Sequence, residues 1–393
     1  MTNPIAARVN QIIPPAVAQV RAKANRIEAT GIKLTYLMRG EPDFETPDHI
    51  RQAAVAALQR GETHYPPLQG IPELRRAVAE RMGRDHDLEV DPAAEVLITD
   101  GATMGLFAAI QAVIDPGDEV IIFDPVYDPY PTVVRMAGGV PVQLSAGAEG
   151  GHFSVPPAII EGALSRRSKA ILLNSPWNPT GTVMRRAELL ALVELAEAHN
   201  LILIVDEIYE NLVFDQHIHH HVAALSAAAR DRTITLNSFS KTYSMTGWRL
   251  GYTIARPDLT AAMLKVAGQF SRSAATFIQW AGLAALEGPQ DIVAQMREVY
   301  AGRRAYLTDS LHGAGLSDFQ PPEGTFFAMV DIRPYGKTSQ QMADYLLEEA
   351  QVVTIPASVY GPAGEGYVRL SFACSDRALR AGMMAVVAAL QKL

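Results

Sequence analysis

Short apolar runs alternate with longer amphipathic stretches through most of this chain. V-L-I-T (96–99), E-V-I-I-F-D (119–124), A-I-L-L-N (170–174), L-I-L-I-V-D (201–206), T-I-T-L-N (233–237) and W-R-L-G-Y-T-I (248–254) carry few polar residues. Between them lie helical patterns such as R-A-E-L-L-A-L-V-E-L-A-E-A-H (186–199). Strands apolar on both faces and separated by helices predict a mostly parallel sheet buried between helical layers. The expected fold class is α/β, with a three-layer core. Thr46-Pro47 is expected to cap and open a helix that Gly61 follows. After about residue 285 the pattern changes. A long helix over 289–312 leads to shorter strands, T-F-F-A-M-V (325–330) and Y-V-R-L-S-F (367–372). This predicts a large domain over 46–285 and a smaller α+β domain over 286–393, which the N-terminal segment 1–45 joins.

Composition narrows the function classes. The chain has 393 residues, 48% of them hydrophobic, more than a single core holds. Its net charge is −8, and no Lys/Arg-rich run points to nucleic acid. Cys374 is the only cysteine, which excludes a disulfide framework and a cysteine metal cluster and fits a reducing compartment, the cytoplasm. The N-terminus shows no signal-peptide pattern, and no apolar run approaches the roughly 20 residues of a membrane span. The cluster H-I-H-H-H (217–221) lacks the spacing of a helical metal site and is expected to be a solvated loop. No metal site is expected.

Polar residues gather where strands end, the place where open α/β sheets bind ligands. Asp100-Gly101-Ala102-Thr103 follows V-L-I-T and opens a helix, whose free amides suit a phosphate or simply make a turn. Neither G-x-G-x-x-G nor a P-loop is present. Asp206 ends an apolar strand, with Tyr209 three residues on; a buried acid there needs a partner. Lys241 follows another strand, among Ser238, Ser240 and Arg249. A lysine partly stripped of water loses pKa and attacks carbonyl carbons. N-S-P-W-N-P-T-G (174–181) follows a third strand and brings Asn178. Arg369 lies within Y-V-R-L-S-F and suits either a bidentate carboxylate or a structural ion pair. One ligand satisfies these features together. It carries a phosphate, a carbonyl for the lysine, a ring cation for Asp206 and a phenolic oxygen, as pyridoxal 5′-phosphate does.

G-E-P-D-F-E-T-P (40–47), H-Y-P-P-L-Q-G-I-P-E-L-R (64–75), N-S-P-W-N-P-T-G, D-E-I-Y (206–209), S-F-S-K-T-Y-S-M-T-G-W-R-L-G-Y (238–252) and Y-V-R-L-S-F occur in this order. In that series the chain resembles the class I/II aminotransferases of pyridoxal-phosphate fold type I, nearly end to end. The resemblance implies transfer of an amino group from an L-amino acid to a 2-oxo acid by a ping-pong route. It assigns Lys241 as the lysine bonded to the cofactor and as the proton shuttle. Asp206 becomes the partner of the pyridine nitrogen, and Tyr209 and Asn178 contact the phenolic oxygen. Tyr127 stacks on the ring. Gly101, Ala102, Thr103, Ser238, Ser240 and Arg249 hold the phosphate, with Tyr65 reaching it from a neighbouring subunit of a homodimer. Arg369, Asn178 and the backbone at Gly40 hold the substrate carboxylate.

The alternative on the same scaffold is a C–S lyase or another reaction of the same cofactor. Ser238-Phe239-Ser240-Lys241 also satisfies S-x-x-K, but its companion S-D-N and K-T-G motifs are missing. A sensor of this fold would carry a DNA-binding module, and only about 45 residues precede the predicted core. Side-chain preference is divided. Thr103 stands where a lysine tends to occur in aspartate-preferring relatives. Arg39 could meet an acidic side chain, and Phe326 and Phe327 an apolar one.

Overall fold

Seven strands form the central sheet of the computed structural model, which describes residues 5, 6, 9, 10, 12 and 16–393. Their order is Val96–Thr99, Gly251–Ile254, Thr233–Ser238, Ile202–Asp206, Ser168–Asn174, Glu119–Asp124 and Val140–Ser145. Gly251–Ile254 runs antiparallel to both neighbours, and the other pairs are parallel. The alternation of side chains along a strand sends successive residues to opposite faces. Ile171, Leu173, Leu203 and Val205 pack with Leu189, Leu192 and Val193 of the Arg186–Ala198 helix. Leu172, Ile204, Ile234 and Leu236 pack on the other face with Leu106 and Ile110 of Ala102–Val113 and Met263 of Pro257–Phe270. Both faces are therefore covered, which is why these strands read as continuous apolar runs. Each fully buried Leu or Ile contributes about 1.5–3 kcal/mol, so this core holds the sheet while polar residues at its edge are free to serve chemistry.

The C-terminal part is built on an antiparallel sheet, Phe327–Asp331, Tyr367–Ser371 and Ile355–Pro356, with Met329 and Ile355 opposite Arg369. Asp291–Gly313, Ser339–Glu349 and Asp376–Leu390 are its helices. Of the N-terminal segment, Thr35–Tyr36 pairs in parallel with Val352–Val353, and Lys23 bonds Asp344 at 2.6 Å.

Three expectations need correction. Thr46 does not cap the Asp48–Gln59 helix; its hydroxyl donates to the Ser244 carbonyl at 2.6 Å and accepts from the Trp248 indole at 3.0 Å. Arg249 is not within a strand. It is a left-handed residue, φ 56°, closing the turn Thr246–Trp248 before the strand starts at Gly251.

The histidine cluster is the third correction: 217–221 is a loop with Ile218 exposed, but it is solvated only in part, because His219 and His221 turn inward. His221 is 3% exposed and lies 2.8 Å from Glu207, itself fully buried. His219 approaches the same carboxylate, and His86 approaches Glu210 at 3.5 Å. Glu210 pairs with Arg81 at 2.6 Å and accepts from Asn237 at 2.8 Å. Burial alone would raise both glutamates, but His221 beside Glu207 and Arg81 beside Glu210 outweigh it and hold both low. Two carboxylates on the D-E-I-Y-E turn thus drew distant cations inward. Among the described residues no group of three or more His, Cys, Asp or Glu is arranged to hold a metal ion. No helix among them is long and apolar enough to cross a membrane.

Candidate active site

Asn174, Asp206 and Ser238 are the last residues of three parallel strands, so their side chains meet at one edge of the sheet. Asn174 sits opposite Asp206 in register, and its amide donates to the Asp206 carbonyl at 2.7 Å. Its side-chain oxygen accepts from the Asn178 backbone at 2.7 Å, which fixes the N-S-P-W-N-P-T-G loop over the strand end.

Asp206 is 5% exposed and has no cationic partner within ion-pair distance among the described residues. It accepts from the Tyr130 hydroxyl at 2.6 Å and from the Ile208 amide at 3.2 Å. Burial pushes its carboxyl up to about 6 even though those two bonds favour the charged form. Tyr130 was not picked out by sequence reasoning. Its signal was its place three residues after Tyr127, at the start of the Pro129–Met136 helix, where the two rings meet edge to face at 5.5 Å.

Lys241 lies on the short helix Phe239–Thr242, which puts its amine at the same edge. The amine donates to the Gly40 carbonyl at 2.6 Å and lies 6.0 Å from the Tyr209 ring centre. That hydrogen bond is exposed to solvent, but protein crowds the half-buried residue. That desolvation, aided by the Arg249 and Arg369 guanidiniums and opposed by Glu41 and Asp206, lowers its pKa to about 8. Tyr209 is buried against Phe326 and Phe327. Burial, with Asp128 and Asp206 nearby, pushes the Tyr127 phenol up to about 12.

An anion-binding corner adjoins this amine. The Ser238 hydroxyl accepts from the Ser240 amide at 3.1 Å and lies 2.8 Å from the Ser240 hydroxyl. Gly101, with φ 80°, and Ala102 open the Ala102–Val113 helix. A Cβ on Gly101 would fall 2.7 Å from the Arg249 guanidinium, and one on Gly251 would fall 2.7 Å from the Ala102 nitrogen. Both glycines let backbone, arginine and helix start crowd together. Arg249 donates to the Thr246 carbonyl at 3.0 Å and has no acid within ion-pair distance among the described residues. Asp100, close by, is turned to the Ser271 hydroxyl. A helix start, an arginine without an acid and two hydroxyls fit a phosphate.

Arg369 is 3% exposed in the middle of its strand. One terminal nitrogen donates to Asn178 Oδ1 at 3.1 Å and the other to the Met38 carbonyl at 3.3 Å, while Nε is buried without a partner. No carboxylate pairs with it among the described residues, which removes the structural ion pair as its explanation. Phe327 lies under the guanidinium at 4.0 Å. Phe326 and Phe327 are fully buried, and Arg39 is exposed. Tyr65, 84% exposed, stands apart from the site within one chain, and the Thr103 side chain is exposed on the first helical turn, next to Ala102.

The chain matches the family described as aminotransferase class I and II over residues 32–386. It is 40% identical to the probable aspartate/prephenate aminotransferase of Thermus aquaticus over 98% of each chain. Its fold superposes on the aspartate aminotransferase from Thermus thermophilus with maleate, with a TM-score of 0.92, 38% identity, and coverage of 99% of this chain and 100% of that one. The N-succinyldiaminopimelate aminotransferase from Mycobacterium tuberculosis is also similar, with a TM-score of 0.92, 33% identity, and coverage of 98% and 100%. The chain belongs to the class I and II aminotransferase family, whose members exchange amino groups between amino acids and 2-oxo acids.

Proposed function

We propose that the sheet edge holds pyridoxal 5′-phosphate. The observation that carries this reading is the meeting of three incomplete groups: an amine of lowered pKa at Lys241, a buried carboxyl without a cation at Asp206, and an arginine without an acid at Arg249 beside a helix start. Ser238, Ser240, Arg249 and the backbone at Gly101, Ala102 and Thr103 would hold the phosphate. Asp206 would face the ring nitrogen, Tyr127 the ring, and Tyr209 and Asn178 the phenolic oxygen. Arg369, Asn178 and the Gly40 backbone would hold the substrate carboxylate.

When bound, the cofactor supplies an aldehyde that condenses with amines and a ring that accepts the electron pair released at the substrate Cα. The chain's own work is then positional and protonic. Lys241 Nζ would take the proton from the substrate Cα and deliver it to the cofactor's aldehyde carbon, and a pKa near the working pH suits a group that must do both. Asp206, fixed by Tyr130 and Ile208, holds a proton at the ring nitrogen by its negative charge. Arg369 sets the orientation of the substrate through its carboxylate.

The same proposal includes a homodimer, in which the partner subunit's Tyr65 reaches the phosphate, and a cytoplasmic location suited to a chain with one cysteine. It also includes the division into 1–45, 46–285 and 286–393. The pairing of Thr35–Tyr36 with Val352–Val353 supports the association of the first part with the last.

Arg369→Ala tests the carboxylate clamp. The expected result is a drop of about 10²–10³ in kcat/KM, on the scale of losing one partner of a buried charge pair, carried mainly by KM. Cofactor absorbance should be retained. An unchanged KM for every amino donor would contradict the assignment.

A further inference from the structure

The Arg369 guanidinium lies over two aromatic rings, and the two differ chemically. Phe327, 4.0 Å from the guanidinium carbon, brings no polar atom. Tyr360, 4.9 Å away, brings a hydroxyl that is buried and has no hydrogen-bond partner. Tyr360 is 3% exposed, so bulk water does not satisfy it. A phenylalanine would fill this space without leaving a stranded donor, and stranded polar groups are costly.

The backbone under Tyr360 is pinned. Its carbonyl accepts from the Val126 amide at 2.7 Å, and Asp124 Oδ2 accepts from Ala363 at 3.0 Å. Gly361 follows at φ 124°, where any Cβ would strike the Asp124 carboxylate. The segment is thereby fastened to the carboxyl end of the Glu119–Asp124 strand, beside Tyr127. Burial, opposed by Arg369, pushes the phenol up to about 12, so at neutral pH the hydroxyl carries its proton and can donate.

Two buried donors without partners therefore belong to neighbouring side chains: Arg369 Nε and the Tyr360 hydroxyl. A carboxylate offers two oxygens and several lone pairs, enough to accept from both. We propose that Tyr360 is a second anchor for the substrate carboxylate, its hydroxyl donating to an oxygen of the same group that Arg369 holds. The inference rests on the reading of Arg369 as the carboxylate clamp.

The test is Tyr360→Phe in the cofactor-loaded enzyme. Maleate and 3-phenylpropanoate are titrated by calorimetry; both carry a carboxylate and neither has an amino group to react. One hydrogen bond to a charged group predicts binding of both weaker by about 10- to 100-fold. KM for amino donors should rise with kcat nearly unchanged, because the carboxylate is held alike before and during reaction. The melting temperature of the ligand-free variant should equal or exceed the wild type's, since a stranded hydroxyl is removed. Unchanged affinity for both probes would mean that the hydroxyl meets water only and would overturn the proposal. A lowered melting temperature would overturn it too, by showing that the hydroxyl already has a protein partner. Arg369→Ala runs in parallel. If that variant binds the probes as well as wild type, the clamp itself fails; if it loses them while Tyr360→Phe does not, only the role of Tyr360 fails.

Discussion

Lys241→Ala is expected to lower kcat by at least about 10⁴-fold, the upper range for losing a positioned proton-transfer group. On the proposed reading two functions leave with one amine: the covalent link to the cofactor and the base that moves the Cα proton. The structure gives little reason for the variant to misfold. The amine's hydrogen bond is to the Gly40 carbonyl on a solvent-reached side, and alanine is a good helix former within Phe239–Thr242. Unfolding can therefore be checked by circular dichroism and set aside. The visible band of a lysine-linked cofactor should also disappear. Turnover within tenfold of wild type would remove Lys241 from the chemistry.

Asp206→Ala is expected to cost about 10²–10³ in kcat, the scale of removing one preorganised charge from a transition state, and to weaken cofactor retention. The carboxyl is buried, held by Tyr130 and Ile208, and raised to about 6 in the absence of a cation. A cation placed against it would draw that value down, and by the same coupling the carboxylate would keep the cation's proton in place. The substitution strands the Tyr130 hydroxyl, a stability cost of about 1–3 kcal/mol that a protein of this size should survive. Rates equal to wild type in a folded, cofactor-loaded variant would contradict the electrostatic role.

The fold class was legible because a parallel sheet covered on both faces leaves a simple mark: strands with few polar residues, separated by helices. The reversed direction of Gly251–Ile254 left none, since an antiparallel strand buried on both faces has the same composition. Arg249 was misplaced for a related reason. W-R-L-G-Y has strand-like composition, and only a left-handed residue before Gly251 reveals that the first part is a turn. The strand-end rule located Asp206, Lys241 and Asn178 at one edge. It could not find Tyr130, whose partner lies 76 residues away. It also could not foresee that Glu207 and Glu210 would draw the histidines inward, because that pairing depends on elements brought together only by folding. Thr46 failed as a cap because Ser244 and Trp248, about 200 positions away, compete for its hydroxyl.

The most direct measurement of the central claim is borohydride reduction of the cofactor-loaded protein, followed by proteolysis and peptide mass mapping. The expected result is a single pyridoxyl adduct on Lys241. An adduct on another lysine, or none at all, would contradict the account.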